Sequence, residues 1–185
     1  MIFSRVVATL FAFGTISALA SPAPAVVQKR EDVSDVLAVI DTLQSTTGGI
    51  LPQIDNLVNT DTATESNLTP LIQQLTAAFE TSAVSLEGLQ GRVDENSGGT
   101  KDEVAERTAA VYTDVTRSLD NLKTKTPQFW PLVPQFGLDA ALLQVLLGLD
   151  ILLAGVVQLV GALLRVVGAL LTGLGFTLIT ALLGL

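Results

Sequence analysis

From Leu138 to Leu185 the chain runs 48 residues with eighteen leucines and only three charged side chains, Asp139, Asp150 and Arg165. A segment this apolar has to be shielded by lipid, by another surface or by protein. As one helix it would extend about 72 Å, more than twice the ~30 Å hydrocarbon core of a bilayer, so it folds back on itself or lies along a surface. Its last twenty residues, Val166 to Leu185, carry no charge and by length alone could cross a membrane. Asp150 and Arg165 oppose a span, because a charge near the midplane costs ~2.5–3.5 kcal/mol on insertion scales.

The spacing inside this segment is regular. Gln144, Gln158, Arg165 and Thr172 lie at multiples of seven, with Ile151 and Ile179 in the same register. Gly148 and Gly155 continue as Ala162 and Ala169 in a second sevenfold row, and Gly161, Gly168 and Gly175 form a third. On an ideal helix at ~100° per residue the two small rows sit about 40° and 60° to either side of the polar row. That arrangement predicts a self-association face of Gln144, Gly148, Gly155, Gln158, Gly161, Arg165, Gly168, Thr172 and Gly175. Small residues there would let backbones approach closely while Gln and Thr bond across the contact. The competing reading makes the glycines turns between short core helices, as Gly173-Leu174-Gly175 suggests.

The preceding part is different in kind. Residues 31–126 hold sixteen acidic and six basic side chains. Val33, Val36, Leu37, Ile40 and Leu43 recur at helical spacing; Gly48-Gly49 reads as a stop, with Ile50, Ile54, Leu57 and Val58 resuming after it and Pro52 as the opening of that second piece. Thr69-Pro70 reads as an N-cap followed by proline at the first helical position, ahead of the face marked by Leu71, Leu75, Ala78, Phe79, Ser82, Leu86, Leu89 and Val93. Thr100 and Glu103 have capping-box spacing before Val104, Val111, Val115, Leu119 and Leu122. The expected fold is all-α: an acidic antiparallel helical bundle over 31–126, a Pro/aromatic linker over 127–137, and a Leu/Gly-rich hydrophobic helical region over 138–185.

The N-terminus reads as a processing segment. Residues 1–20 combine Arg5, an apolar stretch and the small residues Ala18 and Ala20, which predicts a secretory signal peptide cleaved after Ala20. Residues 21–30 form a Pro/Ala spacer ending in Lys29-Arg30, a pair that resembles the dibasic site of fungal secretory proteases. Both cuts would leave a secreted, extracellular chain of net charge 7 − 18 = −11. Asn67-Leu68-Thr69 is a glycosylation sequon, with Pro70 directly after it disfavouring use.

Chemistry is constrained by what is missing. The chain has no Cys and no His, with eighteen acidic against ten basic residues and a net charge of −8. Cys/His metal sites, haem ligation and His-based nucleophilic catalysis are therefore outside its reach. Without a basic cluster it is not expected to bind nucleic acid. Asp94 to Asp102 offers part of a calcium-loop pattern but has Gly98 and Ala105 where oxygen ligands are required. No catalytic, cofactor or metal site is expected.

Lys29-Arg30, the opening Asp32-Val33-Ser34-Asp35-Val36-Leu37, and the Leu/Gly-rich half after Pro134-Gln135-Phe136-Gly137-Leu138 together resemble a small secreted protein family of mushroom-forming fungi. That family occurs in the hyphal wall and supports aerial-hypha formation and attachment to hydrophobic surfaces. The acidic half also distantly resembles fungal hydrophobic-surface-binding and lipid-binding wall proteins. The resemblance implies a non-enzymatic, surface-active structural protein of the cell wall, whose partners are hydrophobic surfaces or the air–water interface, the wall and itself. Two alternatives stand beside it: a membrane-anchored extracellular protein with a C-terminal hairpin or span, and a secreted lipid-binding bundle.

Overall fold

A computed structural model describes residues 31–185. The expected signal peptide and the expected processing positions Ala20, Lys29 and Arg30 lie outside the described residues. The protein is all-α, apart from a two-residue parallel ladder pairing β1 (Glu31–Asp32) with β2 (Val93–Asp94).

Helix α1 spans Val33–Asn59 and opens on an Asp32 cap whose backbone N–H donates in return to Asp35 Oδ2 at 3.0 Å. It runs unbroken through Gly48, Gly49 and Pro52, which corrects the expected stop at the glycine pair. The reason is packing. Gly48 and Gly49 sit on the exposed side, while Leu43, Ile50, Leu51 and Ile54 around them are buried. Each glycine costs about 1 kcal/mol relative to alanine, and each buried Leu or Ile returns about 1.5–3 kcal/mol.

Helix α2 spans Glu65–Leu89 and begins five residues ahead of the expected Pro70 start; it also stops short of Val93, which stands in β2 after a left-handed turn at Gly91, φ +72°. Thr64 is the cap, and its N–H donates to Asn67 Oδ1 at 2.8 Å in a reciprocal box. Pro70 therefore lies inside the helix on its exposed side, where the loss of one N–H is cheapest. Helix α3 spans Lys101–Lys125 and has the expected Thr100 cap, which accepts from Glu103 N at 3.1 Å. The Glu103 carboxylate turns outward to Arg107 Nη2 at 2.8 Å.

The Pro/aromatic stretch is a packed turn. A 3-10 turn at Pro127–Phe129 leads into α4 (Leu132–Gln135), with Leu132 and Val133 buried and Phe129, Trp130 and Phe136 half-buried on the core. The apolar half then divides into α5 (Leu138–Leu152), α6 (Val156–Leu164), a 3-10 turn at Arg165–Val167, α7 (Gly168–Leu174) and α8 (Thr177–Leu183). Gly155 and Gly175, at φ +90° and +81°, make the breaks on either side of α6–α7, a left-handed conformation that favours glycine.

Packing closes a ring of neighbours, α1–α2–α5–α6–α3 and back to α1, with α7 also on α3 and α8 against α5, α6 and α7. Both halves of the sequence contribute to one continuous hydrophobic core. The acidic helices thus supply the shield that the apolar segment requires.

Candidate functional site

The side chains that stay outside this core define the candidate site. Large exposed apolar residues concentrate on the C-terminal helices: Leu147 and Ile151 one turn apart on α5, Leu159 and Leu163 one turn apart on α6, Val166 directly after them, and Leu178 on α8. Ile151 is 64% and Val166 88% exposed. Spacings of three and four residues put Leu159, Leu163 and Val166 on one side of their segment, with the exposed small residues Ala162 and Ala169 beside them. Arg165 is the only charged side chain between Val156 and Leu185. The stretch Val156–Leu174 has the length and composition to cross a membrane, and 39% of it is buried inside the fold.

The expected glycine face is distributed differently from a single helical stripe. Gln144, Gln158, Arg165 and Thr172 are exposed. Gly155 and Gly175 are turns, so no straight helix carries the whole row. Gly148, Gly161 and Gly168 are buried inside the molecule. A Cβ on Gly148 would meet Leu86 Cβ at 3.2 Å, and one on Gly161 would meet the Leu183 carbonyl oxygen at 2.9 Å. Close backbone approach is what these glycines permit, and here the approaching partners are α2 and the end of α8. Asn67 is half-buried in the first turn of α2, its Nδ2 donating to the Thr62 carbonyl at 2.9 Å.

Polar ties hold the apolar helices to the acidic ones. Lys101 Nζ donates to the Ala154 carbonyl at 3.0 Å, just past the end of α5, and pairs with Glu95 at 3.1 Å. At the other end of α3, Lys123 Nζ donates to the Gly173 carbonyl in the last turn of α7 and lies 4.8 Å from the Trp130 ring centroid. Trp130 in turn faces Phe176 with ring centroids 6.4 Å apart. The ends of short helices present unsatisfied carbonyls and partial negative charge, which a lysine ammonium complements. Asp139 Oδ2 accepts from Leu178 N at 3.3 Å at the start of α8. Sequence reading missed these contacts; the one available signal was that three of the six basic residues of the acidic half, Lys101, Lys123 and Lys125, stand in the first and last turns of α3.

Among the described residues, two ionisable groups depart from their ordinary behaviour. Burial pushes the Tyr112 phenol well above its usual value of 10.0. The hydrogen bonds that the Arg107 guanidinium donates, first to Asp41 and then to Glu103, raise its pKa above the ordinary arginine value. Among the described residues no group of three or more acidic side chains is arranged to hold a metal ion. An open groove of about 550 Å³ runs between α1 and α2, floored by Leu43 and Ile50 and walled by Thr42, Thr46, Ala77 and Thr81.

No family model matches the chain. Among curated proteins, fruiting body differentiation protein 16 of Flammulina velutipes is 40% identical over 88 residues, a match covering 46% of this chain and 69% of that relative. By this similarity the chain belongs to the family of fruiting body differentiation protein 16.

Proposed function

We propose that this chain is a non-enzymatic, secreted structural protein acting at hydrophobic interfaces of the hyphal wall during fungal differentiation. The relative's name supports the developmental setting. The observation that carries the interfacial part is the exposed apolar surface of α5, α6 and the turn after α6, with Ile151 at 64% and Val166 at 88% exposure, in a region whose only charged side chains are Asp139, Asp150 and Arg165. Each 100 Å² of such surface withdrawn from water contributes about 2.5 kcal/mol before ordering costs. The acidic helices keep the opposite part of the molecule wetted. In this reading the protein adheres to hydrophobic solids and the air–water interface, assists aerial-hypha formation and associates with copies of itself there.

The test is direct. Purified protein should lower the surface tension of water and adsorb to a fluorocarbon sheet, resisting a wash with dilute salt. Protein that leaves surface tension unchanged and washes off the sheet would refute the proposal.

Membrane anchoring is the second reading, favoured by the apolar stretch Val156–Leu174. Carbonate washing of a hyphal membrane fraction separates the two. Retention in the pellet supports anchoring, and release supports the interfacial role. Lipid carriage, with the α1–α2 groove as its site, predicts retained lipid in native mass spectrometry of the secreted protein.

A further inference from the structure

We propose that a second groove, between α1 and α3, binds a hexopyranose unit of a polysaccharide through Asp55, Asp114, Arg117 and Ser118. The groove measures about 330 Å³, at the small end of the ~300–1,000 Å³ range of ligand sites, which suits one sugar ring. None of its lining residues belongs to α5–α8, so the site stands apart from the interfacial surface and does not depend on it.

The observation that points to a ligand is Ser118. It is 4% exposed, lines the groove, and its Oγ has no hydrogen-bond partner among the described residues. A buried hydroxyl left unpaired is costly, and a ligand hydroxyl would satisfy it as donor or acceptor. The opposite wall adds a backbone acceptor. Pro52 has no N–H to give the Gly48 carbonyl four residues earlier, and Gly48 has open space where a side chain would stand.

The charged groups fit the same ligand. Asp55 is oriented by Asn121 Nδ2, which donates to its Oδ1 at 2.9 Å. Asp114 and Arg117 line the groove with it. Carboxylates accept from sugar hydroxyls and a guanidinium donates to them, so a lining that holds both kinds of group matches a ring whose every hydroxyl does both. Leu51 and Pro52 offer hydrocarbon to the C–H face of the ring. A metal ion fits less well, because the Arg117 guanidinium lines the same space and the acidic groups number two.

The experiment titrates the ¹⁵N-labelled chain with glucose, mannose and N-acetylglucosamine through the millimolar range, and separately with calcium chloride, following amide shifts. Saturable shifts with at least one sugar, centred on Gly48, Asp55, Asp114 and Ser118, are expected. Asp114→Asn should weaken that binding at least about tenfold while circular dichroism and thermal melting stay as in the unaltered protein. Ser118→Ala should weaken it by a smaller factor. Absence of shifts with all three sugars, equal binding by a folded Asp114→Asn variant, or shifts at these amides with calcium alone would each overturn the proposal.

Discussion

The Tyr112 hydroxyl donates to the backbone carbonyl of Leu142 at 2.6 Å, in an interior where both residues are 1% exposed. Tyr112 belongs to α3 and Leu142 to α5, so this bond pins the acidic half of the sequence to the apolar half. Phe79 of α2 meets the same ring edge-on, with centroids 5.7 Å apart and planes at 85°. A buried phenol needs a partner for its O–H, and here the partner lies across the join of the two halves.

Replacing Tyr112 with Phe should keep the packing and remove the bond, lowering stability by about 1 kcal/mol at neutral pH. The same residue sets an alkaline limit. The folded phenol stays protonated above its ordinary value of 10.0, while in the unfolded chain it ionises near that value, so the unfolded state binds fewer protons as pH rises. Its contribution is fully present below about pH 10 and falls by about 1.4 kcal/mol per pH unit above it, until the folded phenol ionises too. Denaturation curves at several pH values should show this slope in the unaltered protein and a shallower one in Tyr112→Phe. Because the chain has one tyrosine, phenolate absorbance reports this group alone.

Lys123→Met keeps the aliphatic stem and deletes the ammonium that touches Gly173 and Trp130. A loss of about 1 kcal/mol is expected, from the cation–π contact and the helix-end interaction together. Hydrogen exchange should quicken in α7 and α8 more than in α1, and emission from Trp130, the single tryptophan, should shift. Uniform exchange along the chain would contradict a local role for this lysine.

Two glycines separate helix propensity from close packing. Gly161→Ala places a Cβ 2.9 Å from the Leu183 carbonyl oxygen, so α8 must move; overpacking of about 1–3 kcal/mol exceeds the ~1 kcal/mol gained in propensity. Gly49→Ala meets no heavy atom of the described residues within 4 Å and should stabilise α1 by about 0.5–1 kcal/mol. Thermal melts of the two variants should shift in opposite directions.

Ile151→Glu with Val166→Glu alters two exposed positions, 64% and 88% accessible, so stability should change by less than about 0.5 kcal/mol per site. Adsorption to a fluorocarbon sheet should drop severalfold. Unchanged adsorption by the folded double variant would place the adhesive surface elsewhere.

The helical period was legible wherever a buried stripe repeated, as with Val33, Val36, Leu37 and Ile40. The ends were harder to read. Asn67 drew attention as a sequon, which concealed its role as the return arm of the Thr64 cap and so hid five residues of α2. Gly48-Gly49 and Gly155 look alike in sequence, yet the pair is helical and Gly155 adopts φ +90°. Burial of Ile50, Leu51 and Ile54 holds the first helix together across its glycines. The sevenfold rows assumed one straight axis, and left-handed turns at Gly155 and Gly175 remove it. Which leucines would remain outside, and which lysines would reach helix ends, depends on how α5–α8 fold over α2 and α3. Periodicity within one segment carries no information about that.

Helices α6, α7 and α8 have nine, seven and seven residues, below the ~12–15 at which even good helix formers hold their shape unaided in water. Their coil is therefore borrowed from the scaffold beneath. Release of them into water would unwind them, so detachment of this portion from the scaffold should register as a spectroscopic loss of helicity.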